Sequence, residues 1–377
     1  MASATVTRVD SAALRRQVSA ILSAWGMGAD DVRVVTDAII ETDLRGIDSH
    51  GVSMLPLYAQ LRAQGKLNPK ARPRIVRETS TTAVIDADAG LGHAVSRKAM
   101  ALAVDKCLSQ GCGVVTVFNS HHFGAAGIYA QAAAERGVIG LVATSTRFVT
   151  MVPTFAAGPV LGTNPIAFAA PTASEPVVLD MATTSVAAGK VKTHWLNNRP
   201  LPEGWVVDGT GRPVTNSEEG YKTLFERAEG GLTPLGGSRE TGGHKGYGLA
   251  LMVHVLGGVL AGASFSPIRN RSQAPNDPDN IGHFFLAIDP GAFRPDGGFQ
   301  TDLAAVVEVL HNTTPTDPAQ PVLVAGDPER SMRAERLKLG IPIPAKLHAL
   351  LRDVARESGA EFLLGNEADA TRSRRTR

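Results

Sequence analysis

"CGVVTVFNSHHFGAAGIYAQAAAERG", residues 112–137, decides how the middle of this chain folds. Its first seven residues are apolar and β-branched enough for a buried strand, and the alanine-rich remainder has helical composition. A second apolar run, "GVIGLVATS", follows at 137–145, so strand, helix and strand over 113–145 are predicted to form one crossover unit. The junction is the unusual part: two adjacent imidazoles, His121 and His122, then Phe123 and Gly124. In open α/β sheets, ligands bind beyond the carboxyl ends of strands and beside helix N-termini. Gly124 allows close approach to the backbone, and Ala125, Ala126 and Gly127 leave room for a phosphate or a ring. Three readings of the histidines stand: a ligand-facing imidazole, a structural pair, and a metal site. Metal is the weakest, because adjacent residues rarely aim at one ion and no carboxylate or cysteine stands at helical spacing.

Around this unit lie further β-like runs, "TTAVIDA", "PIAFAAP", "PVVLDMA", "HFFLAID" and "PVLVAG", with a helix predicted at 93–110. Residues 197–242, rich in Gly, Pro, Asn and Glu, read as a long loop or excursion, and 266–280 as a polar loop. The first 65 residues and the last 75 are helical in period, with Asp30 able to cap the second helix and Asp48 or Ser49 the third. The predicted organisation is a discontinuous helical domain, 1–70 plus 300–377, around a β-rich domain at 71–299.

The 377 residues suffice for more than one core, and a net charge of +2 does not suggest a nucleic-acid binder. The terminal "TRSRRTR" carries four arginines and reads as a disordered end. Cys107 and Cys112 have no metal or redox spacing and suit a reducing compartment as small buried residues. "YGLALMVHVLGGVLAGA" is short for a membrane span and reads as a buried helix. With Asp10, Arg15 and Arg16 in a start that has no apolar core, no signal peptide is read, and the expectation is cytoplasmic.

Several short stretches carry chemistry. In "RGIDSHGVSM", 45–54, Ser49 and His50 sit at a predicted helix start, where the helix dipole lowers an imidazole pKa; plain capping is the competing reading. Asp180, at the end of "PVVLD", suits a ribose hydroxyl or a helix cap. Lys245 in "GGHKGYGLAL" stands at a glycine-flanked helix start, a position that favours an anionic partner. Neither G-x-G-x-x-G after a strand nor G-x-x-x-x-G-K-[ST] is present, so a dinucleotide bound here does not use an ordinary Rossmann turn.

Taken in order, "LRGIDSHGV", "NSHHFGAAG", "GTNPIAF", "DMATT", "GKV", "HKGYGLAL" and "VLVAGDPE" resemble the malate/L-lactate dehydrogenase family of the second, non-Rossmann type. Ureidoglycolate and sulfolactate dehydrogenases and cyclic imino acid reductases belong to that family. The likeness runs from about residue 10 to about residue 355. It implies an α/β (α+β) chain with a largely antiparallel central sheet and a helical domain built from both termini. It also implies an NAD- or NADP-dependent oxidoreductase acting on a small molecule, usually as a homodimer; the histidine spacing leads us to expect no metal. Carried over by resemblance, His50 exchanges the proton with Ser49 as relay, and in some relatives the residue matching His122 has that role. His122, Phe123, Gly124, Ala125 and Ala126 correspond to cofactor contacts, as do Thr146, Asp180, Met181, Ala182, Lys245, Gly326 and Asp327; Thr163 corresponds to a substrate contact.

Met54 departs from the pattern, since relatives place there an arginine that grips a substrate carboxylate. Either another cation serves, with Arg147 a candidate, or the substrate lacks a carboxylate at that place. "TRFVTMVPTFAA", 146–157, also departs and points to a bulkier or less acidic substrate. Lys190 favours a 2-hydroxy or 2-oxo compound, whereas cyclic-imine reductases tend to carry aspartate there. Imine reduction, a cofactor-binding protein without turnover, and a metal-dependent lyase using His50, His121 and His122 are the alternatives.

Overall fold

The strand that ends in the double histidine lies inside a seven-stranded sheet. The computed structural model describes residues 6–365 except 197, 266, 268–272 and 275; the arginine-rich tail and part of the 266–280 loop lie outside the described residues. The strands of the large sheet are β2 (Arg74–Glu78), β3 (Thr82–Asp86), β4 (Cys112–Ser120), β5 (Ile139–Thr144), β6 (Ile166–Ala170), β7 (Val177–Met181) and β10 (Ile281–Ile288). Their order is β2-β3-β4-β10-β5-β6-β7. Only β3 and β4 pair in parallel; every other neighbouring pair is antiparallel. The largely antiparallel, non-Rossmann sheet is therefore as the family resemblance implies.

The predicted crossover forms, with one change. Helix α5 (Gly127–Ala134) joins β4 to β5, and those strands run parallel because each is antiparallel to β10. They are not neighbours, since β10 enters between them from far along the chain. Its almost continuous burial explains why it takes a central place. Helix α4 (Gly92–Gln110) connects β3 to β4 and ends at Gly111, whose φ of 84° is the left-handed C-terminal cap. One apolar cluster holds α4 and α5 on the sheet, with Val115, Val117, Tyr129, Val142 and Phe285 at its centre.

A second cluster draws on both ends of the chain. It contains α1 (Ser11–Ala24), α2 (Ala29–Leu44) and α3 (Leu55–Ala63), with residues as late as Leu351, Val354 and Ala355. A short antiparallel pair fastens it, β1 (Val6–Val9) against β11 (Ile341–Pro344), which periodicity alone did not reveal. In contrast to this cluster, the late helix Phe299–His311 buries none of its residues.

Other expectations change in detail. The 197–242 excursion is not simply loop: strands β8 (Val206–Val207) and β9 (Gly231–Leu232) pair, and Ser217–Phe225 is helical, capped by Asn216. Leu201, Val206, Val214, Leu224 and Leu232 form a small core there with Val191 of the preceding helix Ala188–Leu196. "PVLVAG" forms no strand; it meets β7 through the bond from Val178 N–H to Ala325 O. Asp30 lies in the first turn of α2, whose N-cap is Gly28. Cys112 is exposed, whereas Cys107 is buried. The helix Gly243–His254 and the π-helical turn Val255–Val259 after it are not wholly buried: Leu251, Met252, Val255, Val259 and Leu260 are 43–66% exposed. Among the described residues, no helix is long and apolar enough to cross a membrane.

Because Ile341 is fully buried where the chain ends meet, Ile341→Ala is expected to cost about 2–5 kcal/mol. Urea denaturation of the full chain measures the loss.

Candidate active site

Two loops bring the two imidazoles together. The first is the turn Asp48–Gly51 between α2 and α3. Helix α3 begins only at Leu55, after a 3-10 turn at Val52–Met54, so neither Asp48 nor Ser49 caps it and His50 does not sit at its N-terminus. The second is the His121–Ala126 segment between β4 and α5. Here the His50 and His122 rings approach to 5.3 Å between centroids. Ser49 Oγ stands 2.7 Å from His50 Nδ1.

The turn under His50 is held from below. Asp43, on the buried side of α2, accepts the Val52 backbone N–H at 2.8 Å, and a Cβ on Gly51 would fall 1.9 Å from its Oδ1. Only glycine fits there. Arg336, buried on the late helix Asp327–Leu339, donates to the Asp43 carbonyl at 2.6 Å and pairs with Asp48 through both nitrogens. Burial pushes the Asp43 carboxyl up to about 8, against the lowering effect of the Val52 bond and Arg336.

His122 is the more enclosed imidazole. Its Nδ1 lies 2.6 Å from the Tyr58 hydroxyl and accepts the Gly124 N–H at 3.3 Å. Tyr58 is fully buried, and His93 meets its ring edge-on at 5.7 Å. Removal from water lowers the pKa of both His50 and His122, and at His122 the neighbouring His50, His93 and His283 add to the effect. The helix dipole expected to lower His50 is thus replaced by burial. His121 has a different setting: its Nε2 is 2.9 Å from the Lys66 carbonyl, and Asp279 is 3.6 Å from its Nδ1. His121 and His122 point to different partners, and among the described residues no cluster of metal-ligating side chains occurs.

Most of the remaining predicted residues fall into two places. Asp180 and Gly326 line one cleft of about 860 Å³ with Arg45, Gly127, Glu329 and Arg330. There Asp180 accepts the Gly127 N–H at 2.7 Å, so it caps α5, and burial raises its carboxyl to about 6. Met181 closes β7 opposite Ile166, with Ala182 next in the chain. The second place is around Asn164: Thr146 Oγ1 donates to its side chain at 3.0 Å, and Thr163 gives its carbonyl to Thr183 N–H at 2.9 Å. Leu235 N–H in turn reaches Thr183, and a Cβ on Gly246 would meet Leu235, which brings the helix start bearing Lys245 alongside. Among the described residues, the exposed Lys245 ammonium has no hydrogen-bond or ion-pair partner.

Four residues are engaged elsewhere. Arg147 stands 3.6 Å from Asp279, the carboxylate it shares with His121. Asp327 accepts Val324 N–H at 2.7 Å and meets His311 and Arg330, so its carboxylate is committed to the start of its own helix. Met54 packs against the terminal apolar cluster. Phe123 is buried and stacks on His283 at 4.5 Å.

A largely antiparallel sheet without a glycine fingerprint, on which His50 and His122 come together, has counterparts among known proteins in sequence and fold. A model of the malate/L-lactate dehydrogenase family matches residues 9–352. The chain belongs to this family. It is 39% identical over 344 residues to a malate dehydrogenase of Pyrococcus abyssi, covering 91% of this chain and 92% of that one. The malate dehydrogenase structure from Pyrococcus horikoshii OT3 superposes with a TM-score of 0.83 at 36% identity, over 96% of this chain and 99% of that chain. A delta1-piperideine-2-carboxylate reductase structure from Pseudomonas syringae gives 0.78 at 29% identity, covering 93% and 100%. Family membership makes the protein an oxidoreductase.

Sequence reading missed Tyr58, Asp43, Arg336 and His93. Asp43 left a signal, because it occupies the apolar stripe set by Ile39, Ile40 and Leu44. Since the folded state holds the Asp43 proton to about 8 and an unfolded carboxyl only to 3.8, this group's contribution to stability falls as pH rises between those values. Asp43→Asn is expected to flatten that fall, as read by thermal melts of both proteins across the same window.

Proposed function

We propose that this protein transfers hydride between a nicotinamide cofactor, NAD or NADP, and a small 2-hydroxy or 2-oxo compound. The observation that carries the reading is the His50–His122 pair, whose ring centroids stand 5.3 Å apart; the cleft lined by Asp180 and Gly326 reaches Gly127, the residue that follows the His121–Ala126 segment. A volume of about 860 Å³ is within the range of ligand clefts, roughly 300–1,000 Å³. The glycines at 127 and 326 leave its walls without side chains at those points. Asp180, Gly326 and Arg330 would hold the nucleotide end, with Met181, Ala182, Thr146 and Lys245 as the further contacts that the resemblance implies. The cofactor supplies or accepts the hydride.

The chain's own residues then handle the proton and the orientation. His50 gives a proton to the substrate oxygen in reduction and takes it back in oxidation, with Ser49 holding its Nδ1. His122 and Thr163 flank the reacting group. Arg147 is the candidate cation for a substrate carboxylate, since Met54 offers none. A second reading, reduction of a cyclic or conjugated imine, draws support from the likeness to the piperideine-carboxylate reductase; Lys190 favours the carbonyl reading. Oxidation of NADH and NADPH against panels of 2-oxo acids, lactones and imines separates them.

We further propose that the protein works as a homodimer in the cytoplasm. The exposed apolar row Leu251, Met252, Val255, Val259 and Leu260 supports a buried contact between copies, and two free thiols suit a reducing compartment. Val259→Asp is expected to halve the sedimenting mass; an unchanged mass moves the interface elsewhere.

His50→Ala is expected to lower turnover by about a hundredfold or more, while the reduced cofactor still binds in a fluorescence titration. In the unsubstituted enzyme, carbonyl reduction needs protonated His50 and falls as pH rises; alcohol oxidation needs the neutral ring and rises. Both kcat/KM profiles should turn below the ordinary imidazole value of 6.5, and a midpoint above it removes His50 from the proton step.

A further inference from the structure

Two hydrogen-bond donors converge on one ring nitrogen of His122. The Gly124 N–H can only donate, so at 3.3 Å from Nδ1 it identifies that nitrogen as the acceptor. The Tyr58 hydroxyl lies 2.6 Å from the same nitrogen, with no other partner among the described residues. An Nδ1 that accepts carries no proton, which leaves the neutral ring as the Nε2–H tautomer. His122 Nε2 has no protein partner and is not sealed from solvent. His50 is built differently, because its Nδ1 faces a serine hydroxyl that can donate or accept. That ring can gain and lose a proton without stranding a neighbour; His122 cannot.

We propose that Tyr58 is a positioning residue that locks His122 as a neutral Nε2–H donor, so that His122 hydrogen-bonds the substrate oxygen or nitrogen while His50 alone carries the proton. The lock is rigid. Tyr58 is fully buried on α3, with His93 from α4 against its ring at 5.7 Å. The titratable groups that face His122 are Tyr58, His50 from the turn, His93 from α4 and His283 from β10, and no carboxylate stands among those identified. A charged His122 would strand the Gly124 N–H, compete with three neighbouring imidazoles, and force the Tyr58 hydroxyl to turn. Burial keeps the Tyr58 phenol protonated, its pKa raised well above the ordinary tyrosine value.

The kinetic part of this inference rests on the oxidoreductase reading; the tautomer does not. The test uses the full chain with 15N-labelled histidine, His122 being identified by loss of its signals in His122→Gln. The nitrogen spectrum near neutral pH is expected to show an unprotonated Nδ1 and a protonated Nε2. Tyr58→Phe, which removes only the hydroxyl, is expected to mix the tautomers, raise the ring's pKa toward its ordinary value, and lower kcat about tenfold with little change in KM. His122→Gln keeps an N–H donor and should retain at least about tenfold more turnover than His50→Gln. An Nδ1–H or charged ring in the unsubstituted protein overturns the proposal. So does a Tyr58→Phe protein with unaltered nitrogen shifts, or equal loss in the two glutamine variants. If Tyr58→Phe does not fold, the unsubstituted spectrum and the glutamine pair decide. Absence of turnover on every carbonyl and imine defeats the functional reading alone, and the nitrogen spectrum still supports or overturns the lock.

Discussion

The site depends on a carboxyl that never reaches it. Asp43 accepts the Val52 N–H within the apolar side of α2, and its oxygen occupies the space a Cβ on Gly51 would need. The chain must therefore turn at Gly51, which presents Ser49 and His50 toward the His121–Ala126 segment. Arg336 ties the same turn to the late helix Asp327–Leu339. The position of His50 is in this way a property of tertiary packing between residues almost three hundred apart, rather than of its local sequence. A buried polar network of this kind is worth most when every member is satisfied, and removing one partner leaves the others desolvated and unpaired.

This dependence explains how much of the molecule was legible in the sequence. The strand at 112–120 and the helix after it were readable, because an apolar β-branched run and an alanine-rich segment differ in period and composition. The insertion of β10 between β4 and β5 was not, since pairing order is set by long-range burial that no local window contains. The small core of the 197–242 excursion was masked by its glycines and prolines, although Val206, Val214 and Leu224 were in view. In the same way, a tyrosine in "LPLYAQL" reads as core, and Tyr58 is core; that its hydroxyl reaches a histidine from another element only the fold reveals.

The double histidine separates into two unlike residues. His121 turns to the Lys66 carbonyl and Asp279, whereas His122 turns to Tyr58 and the His50 ring. Both lie just past the end of β4 and turn to different partners, which is also why the pair makes a poor metal site. Between them, the two residues link the site to different regions: His122 to the α3 helix, His121 through Asp279 to Arg147.

Helix α5 shows how an open site can be read too simply. Its N-terminus follows the His122 segment, as a phosphate-binding helix would, and Gly127 offers no Cβ. Yet the Gly127 N–H is taken by Asp180, so the positive end of the helix already faces an internal carboxyl. Burial raises that carboxyl to about 6, and the bond from Gly127 works in the opposite sense, so its charge near neutral pH is sustained largely by the helix end it caps. An anion entering the cleft accordingly meets a capped helix rather than bare N–H groups. The cationic groups it meets there are guanidinium side chains, among them Arg45, Arg97 and Arg330, which line the same cleft. The missing glycine fingerprint and the capped helix agree: the backbone at the start of α5 does not offer the free N–H groups that a Rossmann turn does.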